Sequence, residues 1–267
     1  MKLIGRLLHD VLPPIILLVL LAMAWQAAIV WFDPPQYLFP GPLDVIRSMI
    51  RTGPRLAAAT WLTATEAVCG IGISIVLGVL IAVVFSQARI IRASCYPYAV
   101  FLQTVPIVAV APLIIRWLGT GFHSVVVVSV IISLFPIITN TTTGLLSVDP
   151  DLADLFRLHD ASRWQILWKL RLPHSVPYLV TGVRTSSGLA VIGAIVGEFF
   201  AGYGVDQWGL GYLIMQTSQQ LKTDGLFAAV FSSTFLGVAI FAASSWLGSL
   251  LLTRFGGGAS RDVLRAK

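Results

Sequence analysis

The chain has 267 residues, of which 57% are hydrophobic and only 11% charged, with a formal net charge of +6. A water-soluble domain carries about 25% charged residues to solvate its surface, so a soluble enzyme is excluded. The length is that of one polytopic bundle with short loops and leaves no room for a separate soluble catalytic domain.

The charges are unevenly placed. Residues 11–32, 67–88, 93–115, 117–148 and 225–253 contain no Asp, Glu, Lys or Arg, and a span of the hydrocarbon core needs roughly 20 apolar residues. With one further, interrupted span, six transmembrane helices are expected, near 13–32, 61–86, 95–117, 123–146, 177–200 and 226–252. This reads as an all-α membrane domain over 13–252, between an amino-terminal segment, 1–12, and a tail, 253–267. No internal repeat stands out.

The first run has the length of a span and no small-x-small cleavage site after it, so it reads as a retained helix rather than a signal peptide. Arg47, Arg51 and Arg55 recur every fourth residue with Val45, Ile46 and Ile50 between them, which predicts one short interfacial helix. Glu66 lies early in the second span. An ionisable group at that depth pairs with a partner such as Arg55, meets water, or lines a pathway, and the sequence leaves all three open. Cys69 and Cys95 have no metal-type spacing and read as packed, reduced thiols.

On the third span, Gln103 and Thr104 precede Pro106, and Pro112 follows; prolines free backbone carbonyls that only protein or water can satisfy at membrane depth. Gln103 and Thr104 are therefore candidates for lining a pathway, with ordinary interhelical hydrogen bonding as the alternative. Asn140, with Pro136 and Thr139, poses the same choice on the fourth span. Trp25, Trp31, Trp61, Trp117 and Tyr178 fall near predicted ends and read as interfacial anchors.

Residues 147–176 then form a long loop. Asp149 followed by Pro150 suits a helix start, and Asp151 and Asp154 sit where the helix dipole favours anions, predicting a helix over about 150–159. Ser162 to Gln165 fits a capping box that opens a second short helix, expected to stop before Pro173. An ordered loop of this size is either an amphipathic hairpin on the membrane or a docking element for a cytoplasmic partner.

The fifth span opens near Pro177 and ends at a glycine-rich stretch over 202–211. It is interrupted by Arg184, read as reaching the interface or capping carbonyls, and by Glu198 near its outer end. Gly193 and Gly197, with Gly182 and Gly188, suggest a closely packed face, which favours a gate or inter-subunit contact at Glu198 over an exposed carboxylate. With six spans both termini share a side. That side, with the 87–94 and 147–176 loops, holds 12 Lys and Arg against five opposite, which places both termini and the loop in the cytoplasm. The basic balance is thereby assigned to orientation and to the loop, not to nucleic acid.

The loop carries a resemblance. Asp154-Leu155-Phe156, then Asp160, then Leu170-x-Leu172-Pro173 falls on the spacing of the Glu-Ala-Ala-x3-Gly-x9-Ile-x-Leu-Pro loop of the membrane subunits of binding-protein-dependent ABC importers. The run from Asp160 to Ile166 resembles the nitrate/sulfonate/taurine branch. Further matches are Val105-Pro106 through Ala111-Pro112-Leu113, Trp117-Leu118-Gly119-Thr120-Gly121, Ser147 to Leu152, Val196-Gly197-Glu198-Phe199 and Gly209 to Ile214, so the resemblance covers about residues 35–255. It departs at four positions: Asp154 stands for Glu, Leu155 and Phe156 for two alanines, and Asp160 for Gly. Asp visits positive φ more readily than most residues, so the last change is tolerable. Phe156 implies a deeper pocket on the partner or a rotated helix.

The resemblance implies a type I ABC importer permease: two copies around a pathway, two cytoplasmic ABC ATPase subunits and an extracytoplasmic binding protein. The cargo expected on this branch is a small solute of nitrate, sulfonate, taurine or vitamin-precursor type. It further implies an ATPase-coupling loop of Asp151, Asp154, Leu155, Phe156, Arg157, Asp160, Ala161, Ser162, Trp164, Leu172 and Pro173, and a pathway or gate drawn from Glu66, Gln103, Thr104, Asn140 and Glu198. No catalytic or metal site is expected. A P-loop needs a lysine after glycine, and none of Lys2, Lys169, Lys222 and Lys267 has one, so ATP and Mg²⁺ are expected on the partner ATPase and no cofactor on this chain. His9, His123, His159 and His174 show no metal spacing. An ion-coupled secondary transporter, which needs no ATPase, is the rival reading, and a membrane scaffold is a third.

Overall fold

The computed structural model describes residues 2–35, 37–201 and 208–255, and its regular elements are helical. They are α1 (Lys2–Phe32), α2 (Pro42–Arg51), α3 (Gly53–Gln87), α4 (Arg89–Thr104), α5 (Ile107–Leu118), α6 (Phe122–Leu146), α7 (Pro150–Leu158), α8 (Arg163–Ile166), a π-helical turn (Leu167–Arg171), α9 (Leu172–Ala201), α10 (Leu210–Gln219) and α11 (Thr223–Phe255). Among the described residues, five stretches are long and apolar enough to span a bilayer: Leu12–Phe32, Gly53–Gln87, Phe122–Leu146, Arg163–Ala201 and Thr223–Thr253. The expected tail, 253–267, lies mostly outside the described residues.

The expected third span, 95–117, is not one helix. Pro106 lacks an N–H and holds Val105 in an extended conformation (φ −63°, ψ 124°), so α4 stops at Thr104 and α5 restarts at Ile107. The basic interfacial helix is also shorter than expected. The chain breaks at Thr52, just before Gly53-Pro54, so Arg47 and Arg51 lie on α2 while Arg55 lies on the first turn of α3. Arg51 pairs with Asp224 at 2.8 Å, tying α2 to the start of α11.

The core is the α3–α6–α9 triplet, held together by small residues. A Cβ placed at residue 193 would lie 2.7 Å from Ser129 Cα, and one at residue 78 would lie 2.6 Å from Ile137 Cγ2. The backbones thus approach as only glycine allows, which is how helices associate where lipid removes the hydrophobic drive. Hydroxyls bridge the same seams: Ser74 and Ser133 are 2.8 Å apart, Ser186 donates to Ser133 O at 2.6 Å, and Ser129 donates to Ala190 O at 3.0 Å. Gly188 does not belong to this face, since a Cβ there meets nothing within 4 Å.

The bundle is apolar outside as well. Leu18, Val30, Ile90, Phe101, Phe235 and Val238 are all exposed, a surface that hydrocarbon solvates and water does not. Cys69 and Cys95 are free and also face outward rather than packing in the core. Trp31, Trp61 and Trp117 are exposed as anchors would be, but Trp25 instead packs against Phe39, Phe227 and Phe231, and Tyr178 fills the space beside Gly144.

Candidate functional sites at the two ends of the bundle

At one end the 147–176 loop is well ordered by its own sequence. The Asp149 carboxylate caps α7 by accepting from Asp151 N–H at 2.9 Å, with Pro150 in the first turn. Arg157 donates to Asp154 at 2.7 Å. The helix closes in a reversal that needs a positive φ, and Asp160 supplies it (φ 52°), with Ala161 N–H donating to Phe156 O and Asp160 N–H to Arg157 O, both at 3.0 Å. This is the geometry a C-terminal glycine usually provides. Asp160→Gly is therefore expected to leave stability within about 0.5 kcal/mol of wild type, whereas Asp160→Val costs about 1–2 kcal/mol; thermal unfolding of the purified protein in detergent measures both.

Beyond the reversal, Ser162 and Gln165 form the expected capping box, at 2.7 and 3.3 Å. The short helix it opens does not stop before Pro173. The chain continues through the π turn into α9, and Leu172 N–H donates five residues back to Leu167 O. A widened turn shifts the hydrogen-bond register just before Pro173, so the missing N–H is accommodated without a break. Leu167 is buried with Ala82 and Leu145, Leu172 packs on them, and Arg171 donates to Ser86 O at 3.1 Å. The loop is thereby anchored to the ends of α3 and α6.

The anchoring leaves α7 itself free: none of its side chains is buried against the described residues. Leu152, Leu155 and Leu158 sit on one face, with Leu155 50% and Leu158 81% exposed, and Trp164 and Trp168 are exposed nearby. Of the expected loop residues, Asp151, Asp154, Leu155, Arg157, Asp160, Ser162 and Trp164 are exposed; Phe156 and Ala161 are half-buried, as are Leu172 and Pro173 where the loop meets the bundle. The loop thus presents a short helix with an uncovered apolar face and two exposed tryptophans.

The opposite end holds a buried polar cluster. Glu198 of α9 is 3% exposed and both its oxygens are occupied: Oε1 accepts from Thr63 Oγ1 at 2.6 Å and Oε2 from Gly211 N–H at 2.5 Å. Thr63 Oγ1 in turn accepts Leu210 N–H at 2.9 Å. Two of the orphan donors at the start of α10 are thus satisfied by side chains of α3 and α9. Glu66, also 3% exposed, lies within hydrogen-bond reach of Glu198, and its Oε2 has no partner among the described residues. Arg55 does not reach it, being engaged with Gln216 Oε1 at 2.6 Å and with the Trp208 ring at 4.8 Å.

The remaining pathway candidates do not join this cluster. Asn140 is half-buried and donates to Pro136 O at 2.8 Å, beside Gly182. Gln103 and Thr104 are exposed on the last turn of α4, with Thr104 donating to Phe101 O. Arg184 donates to Ser245 O of α11 at 3.2 Å, the carbonyl-capping reading. Thr63 and the backbone of Leu210 and Gly211 are participants that sequence reasoning missed. Their traces in the sequence are the i, i+3 placement of Thr63 with Glu66 and the Gly209 to Ile214 stretch, which enters the resemblance without a role.

The profile of the family described as "Binding-protein-dependent transport system inner membrane component" matches residues 74–257. The chain belongs to this family. The permease is 34% identical to the formylaminopyrimidine transport permease protein ThiX of Halalkalibacterium halodurans, over 91% of its own length and 96% of that protein. It is 31% identical to the riboflavin transport system permease protein RibX of Chloroflexus aurantiacus, over 88% and 87%. Its fold is similar to a chain of the MetNI methionine ABC transporter, with a TM-score of 0.65 at 16% identity, covering 75% of the permease and 98% of that chain. The resemblance of the chain to the membrane subunits of binding-protein-dependent ABC importers is thereby borne out. The permease is an all-helical, multi-pass inner-membrane protein and the transmembrane subunit of an ABC importer, not an ion-coupled carrier.

Proposed function

We propose that two copies of the permease enclose a translocation pathway and that each engages one cytoplasmic ABC ATPase subunit through α7. Both termini and the 147–176 loop then lie in the cytoplasm, and ATP and Mg²⁺ are held by the ATPase pair. An extracytoplasmic binding protein delivers the solute. The observation that carries this reading is α7: a capped, well-formed helix, anchored at its far end by Leu167 and Arg171, whose Leu152, Leu155 and Leu158 touch nothing that buries them. The 12-to-five distribution of Lys and Arg supports the orientation.

The solute class follows the relatives whose printed substrates are a formylaminopyrimidine and riboflavin. We infer a small vitamin-precursor heterocycle rather than an inorganic oxyanion. Co-expression with the cognate ATPase and binding protein, followed by uptake into vesicles, tests all parts. ATP-dependent uptake of such a heterocycle, and co-purification of the ATPase with the permease, are expected. Uptake that persists without ATP would remove the importer assembly, and uptake of nitrate or taurine alone would remove the solute class.

A further inference from the structure

The Glu198 cluster has a geometry that the importer reading leaves unused. We propose that Thr63 and Glu198, with Glu66 buried beside them, form a latch which holds the first turn of α10 against α3 and α9, and that turning the pathway outward requires this latch to open. The proposal rests on the assembly and orientation described above, which place the cluster at the extracytoplasmic end.

Three features support a latch over a static structural contact. The first is that the contact joins three separate elements through few groups: Thr63 on α3, Glu198 on α9, and two backbone N–H groups of α10. A relative movement of α3 and α9 cannot keep all three bonds at their present lengths, so the contact exists in one arrangement of these helices and not in another. The second is the closeness of the seat. A Cβ at residue 209 would overlap the Glu198 carboxylate, and one at residue 211 would overlap Ile195 O and lie 2.8 Å from Glu198 Cβ. The glycines let the backbone of α10 descend onto the Glu198 carboxyl group, within hydrogen-bond reach of its N–H groups.

The third feature is Glu66. Its carboxyl is buried beside Glu198, yet its Oε2 accepts from no described group, and a buried acceptor without a donor destabilises the arrangement that contains it. A purely structural clamp would be more stable with an apolar side chain here. A latch that has to release is served by an arrangement short of its most stable form, and ionisable groups at membrane depth are kept where they work.

The test uses the reconstituted permease–ATPase complex with its binding protein, in a Cys69→Ala, Cys95→Ala background. Leu210 N lies 2.9 Å from Thr63 Oγ1, which brings the two Cα atoms within about 7 Å, near the reach of a disulfide. Compared with its own reduced form, whatever that form's basal rate, Thr63→Cys with Leu210→Cys is expected to lose uptake at least tenfold on oxidation and to recover it on reduction. Full uptake by the cross-linked form would overturn the proposal, because the latch would then not need to open. If even the unmodified complex fails to transport, the importer assembly has failed and not the latch. As a second variant that keeps side-chain shape, Thr63→Val removes the hydroxyl's bonds to Glu198 and to Leu210 N–H, along with its local contact to Ala59 O, and is expected to raise ATPase activity without binding protein several-fold, with Thr63→Ser restoring the wild-type ratio. Equal ratios in Thr63→Val and wild type would assign Thr63 a structural role only.

Discussion

Asp154→Lys is expected to leave the permease folded and inserted while reducing ATP-driven uptake about 30-fold or more. Asp154 is exposed on α7 and its bond is to Arg157, one helical turn away and also exposed. Within the chain the substitution forfeits only a surface ion pair, worth at most about 1 kcal/mol. In the assembly proposed above the same helix is covered by the ATPase, and an introduced cation beside Arg157 is then desolvated with no partner. Breaking a buried charge pair at an interface costs about 2–5 kcal/mol, and each 1.4 kcal/mol is a decade. Uptake into vesicles, measured beside membrane yield and thermal stability, separates the two effects. Unchanged uptake would remove Asp154 from coupling.

Gly193→Leu is expected to act in the opposite way, destroying the fold rather than the coupling. The new Cβ alone would lie 2.7 Å from the Cα of Ser129 and 3.2 Å from its backbone nitrogen, and neither backbone atom can swing aside as a side chain could. The α6–α9 seam would have to part, losing the buried Ser129 bond to Ala190 O. Overpacking of this kind costs about 3 kcal/mol or more, a large part of the stability of a marginally stable chain. The control is Gly188→Ala on the same helix, where the added methyl meets nothing within 4 Å and better helix propensity offsets any loss. Detergent-solubilised yield and unfolding temperature are expected to fall sharply for the first variant and to hold for the second. Equal behaviour of both would mean that the seam is not as tight as the geometry indicates.

These two variants divide the molecule by how its parts are stabilised. The coupling loop is stabilised locally: a cap at Asp149, a left-handed residue at Asp160 and a capping box at Ser162 each act within six residues. Interactions of such short range are written directly in sequence, and the loop was legible in nearly every detail. Its one misreading, a stop before Pro173, arose because a π turn can absorb a proline that an α-helix cannot. The break at Val105–Pro106 was misread in the reverse sense: a run of uninterrupted apolarity argued for one span, but the proline's missing donor won locally.

The bundle and the Glu198 cluster depend on distant residues. That Glu66 would meet Glu198 rather than Arg55 depends on how α3 and α9 pack across α6, and no spacing within either segment encodes that rotation. The same holds for Gly182 and Gly193 facing α6 while Gly188, on the same helix, faces open space. By itself, the sequence determined the solvent, five of the six expected spans, the caps and the family, because hydropathy, prolines and hydrogen-bonding side chains act over one or two turns. Only the tertiary structure decided which buried carboxylate meets which donor and which glycines are indispensable, since both are set by interhelical distances of a few ångströms between residues far apart in the chain.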